Sequence, residues 1–344
     1  MKKKFYKIFI CILFLISAGC STVSYETIYP TLIDGKYDSE FPYKSTSEEL
    51  KKISETIQRI NTTAFYKIYI FHQEENITVE DLKSIKLSQK AERELIADNS
   101  AAGTAVVLYS SNGNVALLTC AHTLTFKDTV YSFRLQDNGS YSQYLESILI
   151  KEKQVIYVAG FPEGSQLDIL AIDDETDLAL IGKSYGAQQK VFYPVFNYPF
   201  GNAKEVEWGT FVYLLGYPIN YKIITKAIAS YPKKEGDGSF FVDAVINPGF
   251  SGGPVLAIRD GVPNFELIGI VQWVPEEEES LVYPQKLNSH SVYNPVVPYK
   301  GDLFVKKHKS IRYGIAKVIP VENILKFILS NKTELNKKGF YIFE

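Results

Sequence analysis

From residue 63 onward the sequence loses helical periodicity. It becomes a succession of short runs rich in Val, Ile, Leu, Tyr and Phe, separated by Gly, Pro and Asn turn signals. That pattern restricts the body to barrels or a sandwich made from antiparallel sheet. The runs fall at 63–71, 103–110, 114–120, 147–150, 154–158, 167–172, 178–181, 211–215, 223–228, 240–245, 255–258, 267–273 and 315–319. Ser111-Asn112-Gly113 between the second and third predicts a hairpin, because Asn-Gly accepts positive φ. Helical signal survives in three places. Ser45 opens a capping-box pattern ahead of Leu50, Ile53, Ile57 and Ile60 on one face, residues 78–97 read as a surface helix, and residues 321–330 form an amphipathic helix after Pro320. No solenoid-length repeat is present.

Hydrophobic residues make up 46% of the 344 and aromatics 14%, which excludes a disordered chain. Lys2, Lys3, Lys4 and Lys7 precede the apolar run 8–16 and the small residues Ser17, Ala18 and Gly19. This is the pattern of an export signal over 1–19, since a bilayer span takes about 20 apolar residues. Without those four lysines the balance is 33 basic to 39 acidic residues, a net charge of −6. A general nucleic-acid binder needs a basic surface and is excluded. Of the three cysteines, Cys11 lies in the leader and Cys20 at its end. Cys120 then remains as a free thiol, with no disulfide framework and no zinc spacing. Residues 20–61 read as a tether (21–45) followed by the short helix, and 331–344 as a C-terminal tail.

Three segments carry chemistry. Thr119-Cys120-Ala121-His122 ends a strand on a histidine, and Asp173-Asp174-Glu175-Thr176-Asp177 stands at the mouth of the apolar strand 178–181. Gly249-Phe250-Ser251-Gly252-Gly253-Pro254 places a serine in a glycine-rich turn. A serine hydroxyl attacks well only when an imidazole takes its proton and an acid holds that imidazole in the right tautomer. Glycines beside the serine let backbone N–H groups converge into an oxyanion hole. The order His, Asp, Ser in a β-rich chain supports nucleophilic catalysis.

On these residues the chain resembles a trypsin-like (chymotrypsin-fold) serine peptidase, nearest the bacterial HtrA/Deg type. Gly103-Thr104-Ala105-Val106-Val107 is similar to that group's opening strand, and 118–124 to its histidine segment. Residues 173–181 are similar to its Asp-x-x-x-Asp-Leu-Ala-Val-Leu segment, which points to Asp177. Residues 209–218 resemble its Gly-x-x-Val-x-x-x-Gly-x-Pro stretch, and 243–254 its serine segment. The resemblance covers roughly 62–330. It implies an all-β fold of two antiparallel six-stranded β-barrels, about 62–195 and 205–320, with a short N-terminal and a C-terminal helix. It implies His122 as general base, Asp177 as its orienting acid, Ser251 as nucleophile, and the N–H groups of Gly249 and Ser251 as the oxyanion hole. Val245 would floor the primary pocket and favour a small or medium apolar residue before the cleaved bond. No metal or cofactor is implied, and the partner is a protein or peptide substrate.

The sequence departs from that pattern in four ways. Phe250 replaces the usual Asp or Asn, so a loop clamp made by that side chain is absent. Cys120 stands where a small residue is common. No PDZ domain is expected, since 14 residues follow Ser330. Residues 274–312 are an insertion, read as solvated loop or as a flap over the cleft. Leu15-Ile16-Ser17-Ala18-Gly19-Cys20 resembles a bacterial lipoprotein box with Ser17 in place of the usual leucine, which implies lipidation at Cys20, a membrane anchor and a place in the cell envelope. Two rival readings are an inactive peptidase-like binding lipoprotein and an α/β-hydrolase-type esterase. The esterase would draw on Asp260 with His290 or His308, and would need a helix directly after the serine.

Overall fold

The computed structural model describes residues 33–343 apart from 137–139, 163–165, 187–191, 233–235, 237, 274–275, 285–295, 297–302 and 312–313. The export signal, Cys20, the start of the tether and His290 lie outside the described residues, as does the side chain of His308. Among the described residues no helix is long and apolar enough to cross a membrane.

The chain forms β1 (Ile57–Phe71), β2 (Ala91–Ser111), β3 (Asn114–Cys120), β4 (Thr129–Leu135), β5 (Tyr141–Val158), β6 (Asp168–Asp173) and β7 (Leu178–Ser184). These make one sheet in the order β4-β5-β1-β2-β3-β7-β6. A second set is β8 (Phe211–Gly216), β9 (Ile223–Tyr231), β10 (Phe240–Val242), β11 (Pro254–Ile258), β12 (Phe265–Trp273) and β15 (Ala316–Pro320). It closes into a six-stranded barrel, β10-β15-β12-β11-β8-β9. Every ladder between named strands is antiparallel, as the turn-separated runs predicted.

The first half departs from a closed six-stranded barrel. It has seven strands with β4 and β6 at its edges, and among the described residues the far end of β5 meets the approach to β6 through the Tyr157–Gln166 bridge and the Leu167 N–H donated to the Ile156 carbonyl at 2.7 Å. The cause is strand length: β1, β2 and β5 run 15, 21 and 18 residues. β4 pairs with β5, and a separate small cluster forms around Phe71, Ile77, Leu145 and Ile148.

Several local expectations are corrected. Helix α1 stops at Glu55 (Ser47–Glu55), so Ile57 and Ile60 are buried from strand β1 rather than from a helix. No side-chain cap bond forms at its N-cap, Thr46. Of the surface helix at 78–97 only a 3-10 turn (Asp81–Lys83) and the four-residue α2 (Leu87–Lys90) form, because 91–97 pair with β1. Helix α3 (Val321–Lys337) continues past 330, and Leu335, Phe340 and Ile342 are buried, so the expected tail is part of the core. Within the insertion, β13 (Glu276–Pro284) and β14 (Leu303–Ile311) form an antiparallel ladder.

The tether, from residue 33 on, is a docked strap. The Asp38 N–H donates to the Ile258 carbonyl at 2.9 Å, and the Asp38 carbonyl accepts from the Phe211 N–H at 2.8 Å. Buried Tyr37 donates its hydroxyl to Glu266 Oε2 at 2.7 Å and accepts the Asn202 N–H at 2.8 Å. Arg259 lies over its ring at 4.1 Å.

Three strands determine where the site falls. On β2, β3 and β7 alternate residues enter different cores: Ala105, Val107, Val115, Leu117, Ala179 and Ile181 fill the first half. Their neighbours Val106, Leu108, Ala116, Leu118, Leu178 and Leu180 pack with the second barrel. Both faces are covered, hence the continuous apolar runs.

Replacing Tyr37 by Phe leaves the Asn202 N–H and the Glu266 carboxylate short of a buried partner. Chemical denaturation should show a loss of about 1–3 kcal/mol. An unchanged midpoint would mean that the strap does not stabilise the barrel.

Candidate active site

β3 and β7 are antiparallel neighbours with Cys120 opposite Leu178. His122, just beyond the end of β3, and Asp177, just before β7, therefore emerge at the same end of the sheet. A 3-10 turn, Ala121–Thr123, carries the histidine. The Asp177 carbonyl accepts the Ala121 N–H at 3.1 Å, and Asp177 Oδ1 accepts the His122 N–H at 2.8 Å. The same carboxylate meets His122 Nδ1, with Oδ2 at 2.8 Å and Oδ1 at 3.1 Å. A carboxylate only accepts, so Nδ1 carries the proton and neutral His122 has its lone pair on Nε2. Nε2 has no hydrogen-bond partner among the described residues. Asp177 sits at φ +59°, a left-handed turn that Asp tolerates better than most residues.

The neighbouring acids are engaged elsewhere. Asp173 accepts the Thr176 hydroxyl at 2.6 Å and the Glu175 N–H at 3.0 Å, and these bonds, led by the hydroxyl, hold its pKa below the usual carboxylate value. Asp174 accepts the Thr125 hydroxyl at 3.0 Å. Only Asp177 serves His122.

Ser251 lies half-buried in the turn between β10 and β11. Its carbonyl accepts the Thr104 N–H at 2.8 Å, and the Gly249 carbonyl accepts the Thr104 hydroxyl at 2.6 Å. A Cβ on Gly103 would stand 2.9 Å from Thr123 Cγ2 and 3.2 Å from the Ser251 carbonyl oxygen. The serine turn thus packs beside the histidine turn. Ser251 Oγ makes no hydrogen bond among the described residues, and none joins it to His122. The Gly249 and Ser251 N–H groups likewise have no acceptor there. Gly249 is glycine for two reasons: its φ is +110°, and a Cβ would lie 2.4 Å from the Tyr217 carbonyl oxygen.

Phe250 is buried in the main core, where a Cβ on Gly216 would come within 2.5 Å of its Cδ1. Apolar packing therefore stands where a polar loop clamp was absent from the sequence. Val245 is 73% exposed, on an extended segment whose alternate residues Ala244 and Ile246 turn inward, so its side chain closes no pocket here.

Cys120, His122 and Asp177 offer ligand atoms within 4.8 Å of one another, the only such set among the described residues. The Cys120 thiol is fully buried and donates to the Val271 carbonyl at 3.3 Å. Burial, then the Asp177 charge, push its pKa well above that of a free thiol. A thiol held protonated is a poor metal ligand, and the carboxylate is committed to His122. The set reads as a His–Asp pair packed over a cysteine.

Thr104, which bonds both Gly249 and Ser251, carries little signal in the sequence. The available signal was a lone hydroxyl in an otherwise apolar run, 103–108.

The trypsin-like peptidase domain family matches residues 103–270, a span that holds His122, Asp177 and Ser251. Among solved structures, the crystal structure of the serine endoprotease from Yersinia pestis is similar at 16% identity and a TM-score of 0.40, covering 85% of this chain and 68% of that one. No curated protein matches the chain.

In a protein of residues 21–344 the burial of Cys120 has a direct readout. Ellman's reagent at pH 8 should titrate no thiol in the native state and one after unfolding. Rapid native reaction would contradict the buried, protonated thiol.

Proposed function

We propose that the trypsin-like peptidase domain of this chain is a serine endopeptidase acting through His122, Asp177 and Ser251. The observation that carries the reading is the two-point grip of Asp177 on His122, at the backbone N–H and at Nδ1. That grip directs the basic Nε2 away from the acid, the arrangement a general base needs.

In the proposed reaction His122 Nε2 takes the Ser251 hydroxyl proton as Oγ bonds to the peptide carbonyl carbon. The carbonyl oxygen becomes an anion, for which the Gly249 and Ser251 N–H groups are the candidate donors. His122 then gives its proton to the departing amine, leaving an acyl-enzyme. Water repeats the sequence, with His122 as base, and frees the acid. Asp177 stabilises the imidazolium without accepting its proton. Among the described residues no hydrogen bond joins Ser251 to His122, and such bonds commonly tighten only in the substrate complex.

The substrates in this reading are exported proteins. Cys20 carries a lipid that holds the enzyme at a bacterial envelope membrane. The esterase alternative loses ground because Pro254 opens strand β11 directly after the serine turn, where that fold needs a helix.

Fluorophosphonate labelling of residues 21–344 tests the reading. Wild type should label, and Ser251→Ala and His122→Ala should not. A folded wild type that never labels would favour the peptidase-like binding protein. With a peptide substrate, Asp177→Asn should lower kcat by about 10⁴ with little change in KM, because the imidazole loses its tautomer. A loss under tenfold would remove Asp177 from the mechanism.

A further inference from the structure

We infer that Thr104 is a positioning residue, whose buried hydroxyl holds the oxyanion loop in its working shape. Thr104 is fully buried and belongs to β2, in the first sheet, yet three of its bonds go to the second half of the molecule. Its N–H donates to the Ser251 carbonyl at 2.8 Å. Its Oγ1 donates to the Gly249 carbonyl at 2.6 Å and accepts the Tyr217 N–H at 3.0 Å. The direction of this chain is fixed, because a backbone N–H can only donate and a carbonyl can only accept. Its own carbonyl accepts the Thr119 hydroxyl at 2.8 Å, which ties it to the strand leading to His122.

The loop needs such a hold. Gly249, at φ +110°, has the conformational freedom of a glycine just where the turn needs a fixed peptide. Phe250 supplies packing but no hydrogen-bonding side chain. Rotation of the Gly249–Phe250 peptide is opposed by the Thr104 hydroxyl, and rotation after Ser251 by the Thr104 N–H. With both carbonyls turned toward β2, the Gly249 and Ser251 N–H groups stay unbonded and available to an oxyanion. Thr104 touches none of the reacting atoms, so it acts through the loop.

The inference rests on the peptidase reading, and its test separates the two. Thr104→Val keeps the shape but leaves the Gly249 carbonyl and the Tyr217 N–H unpaired, while Thr104→Ser restores the hydroxyl. With a peptide substrate, the valine variant should lose about 10- to 100-fold in kcat, less than for removal of a direct oxyanion donor, with KM nearly unchanged. Affinity for a peptide boronate, which places an oxygen in the oxyanion site, should fall by a factor similar to that in kcat/KM. The serine variant should return both to within about threefold of wild type. An active wild type with an unaffected valine variant overturns this inference alone, as does a rise in KM at constant kcat or a serine variant that fails to rescue. If neither Thr104→Val nor Thr104→Ala yields a cooperatively unfolding protein, Thr104 is a structural group and the inference fails. A wild type that neither labels nor cleaves refutes the peptidase reading itself.

Discussion

Burial of the 103–110 part of β2, and of β3 and β7, on both faces is the constraint from which the rest follows. In most antiparallel sheets one face meets solvent and tolerates exchange of polar residues. Here Leu117 points into one core and Leu118 into another, and the same holds for Ile181 and Leu180. A slip of one residue would exchange the two sets and misfit both cores at once. Register is thereby specified from both sides. The register that pairs Cys120 with Leu178 also sets the reach from His122 to Asp177. Each residue of slip moves a strand end by roughly 3.3 Å, more than the tolerance of a hydrogen bond. The site's geometry is a consequence of packing far larger than the site.

The same arrangement manages charge. The Asp177 side chain is 13% exposed and that of His122 43%. A carboxylate removed that far from water must find donors, and the His122 N–H and ring supply two of them. The acid is satisfied while the imidazole keeps an open face. The thiol beneath them, held protonated, adds no second negative charge to compete for the histidine.

Legibility from sequence followed the range of the interactions. The hairpin at Asn112-Gly113 is local, and both residues adopt the positive φ it requires, +52° and +77°. Long apolar runs such as 178–181 were readable because burial on two faces leaves little room for polar residues. Ile57 and Ile60 misled because a spacing of three fits a helix, and only tertiary pairing with β2 and β5 makes them strand residues. Residues 91–97 carry Glu92, Arg93 and Glu94, which read as a surface helix until β1 lies alongside. β4 held a signal in Tyr131, Phe133 and Leu135, alternating with period two. The strap was illegible because Tyr37 reveals its role only through Glu266 and Asn202, both more than 160 residues away.

The turn around Ser251 faces two opposed demands. Glycine is required at 249, since any Cβ would strike the Tyr217 carbonyl, yet glycine alone cannot keep a peptide plane fixed. Two backbone bonds brace the turn from within, Phe250 N–H to the Asn247 carbonyl at 3.3 Å and Gly253 N–H to the Phe250 carbonyl at 2.8 Å, and further support comes from outside it. Phe250 anchors it from the second barrel by packing against Gly216, and Thr104 anchors it from the first sheet by hydrogen bonds. Thr104 and Thr119 lie on paired strands, and Thr119 is three residues from His122. The frame that holds the loop is therefore the frame that carries His122. A shift of one half of the molecule against the other would disturb the Thr104 bonds together with the packing of Gly103 between Thr123 and Ser251. Ser251 and His122, though carried by different halves, are thus referred to the same pair of strands.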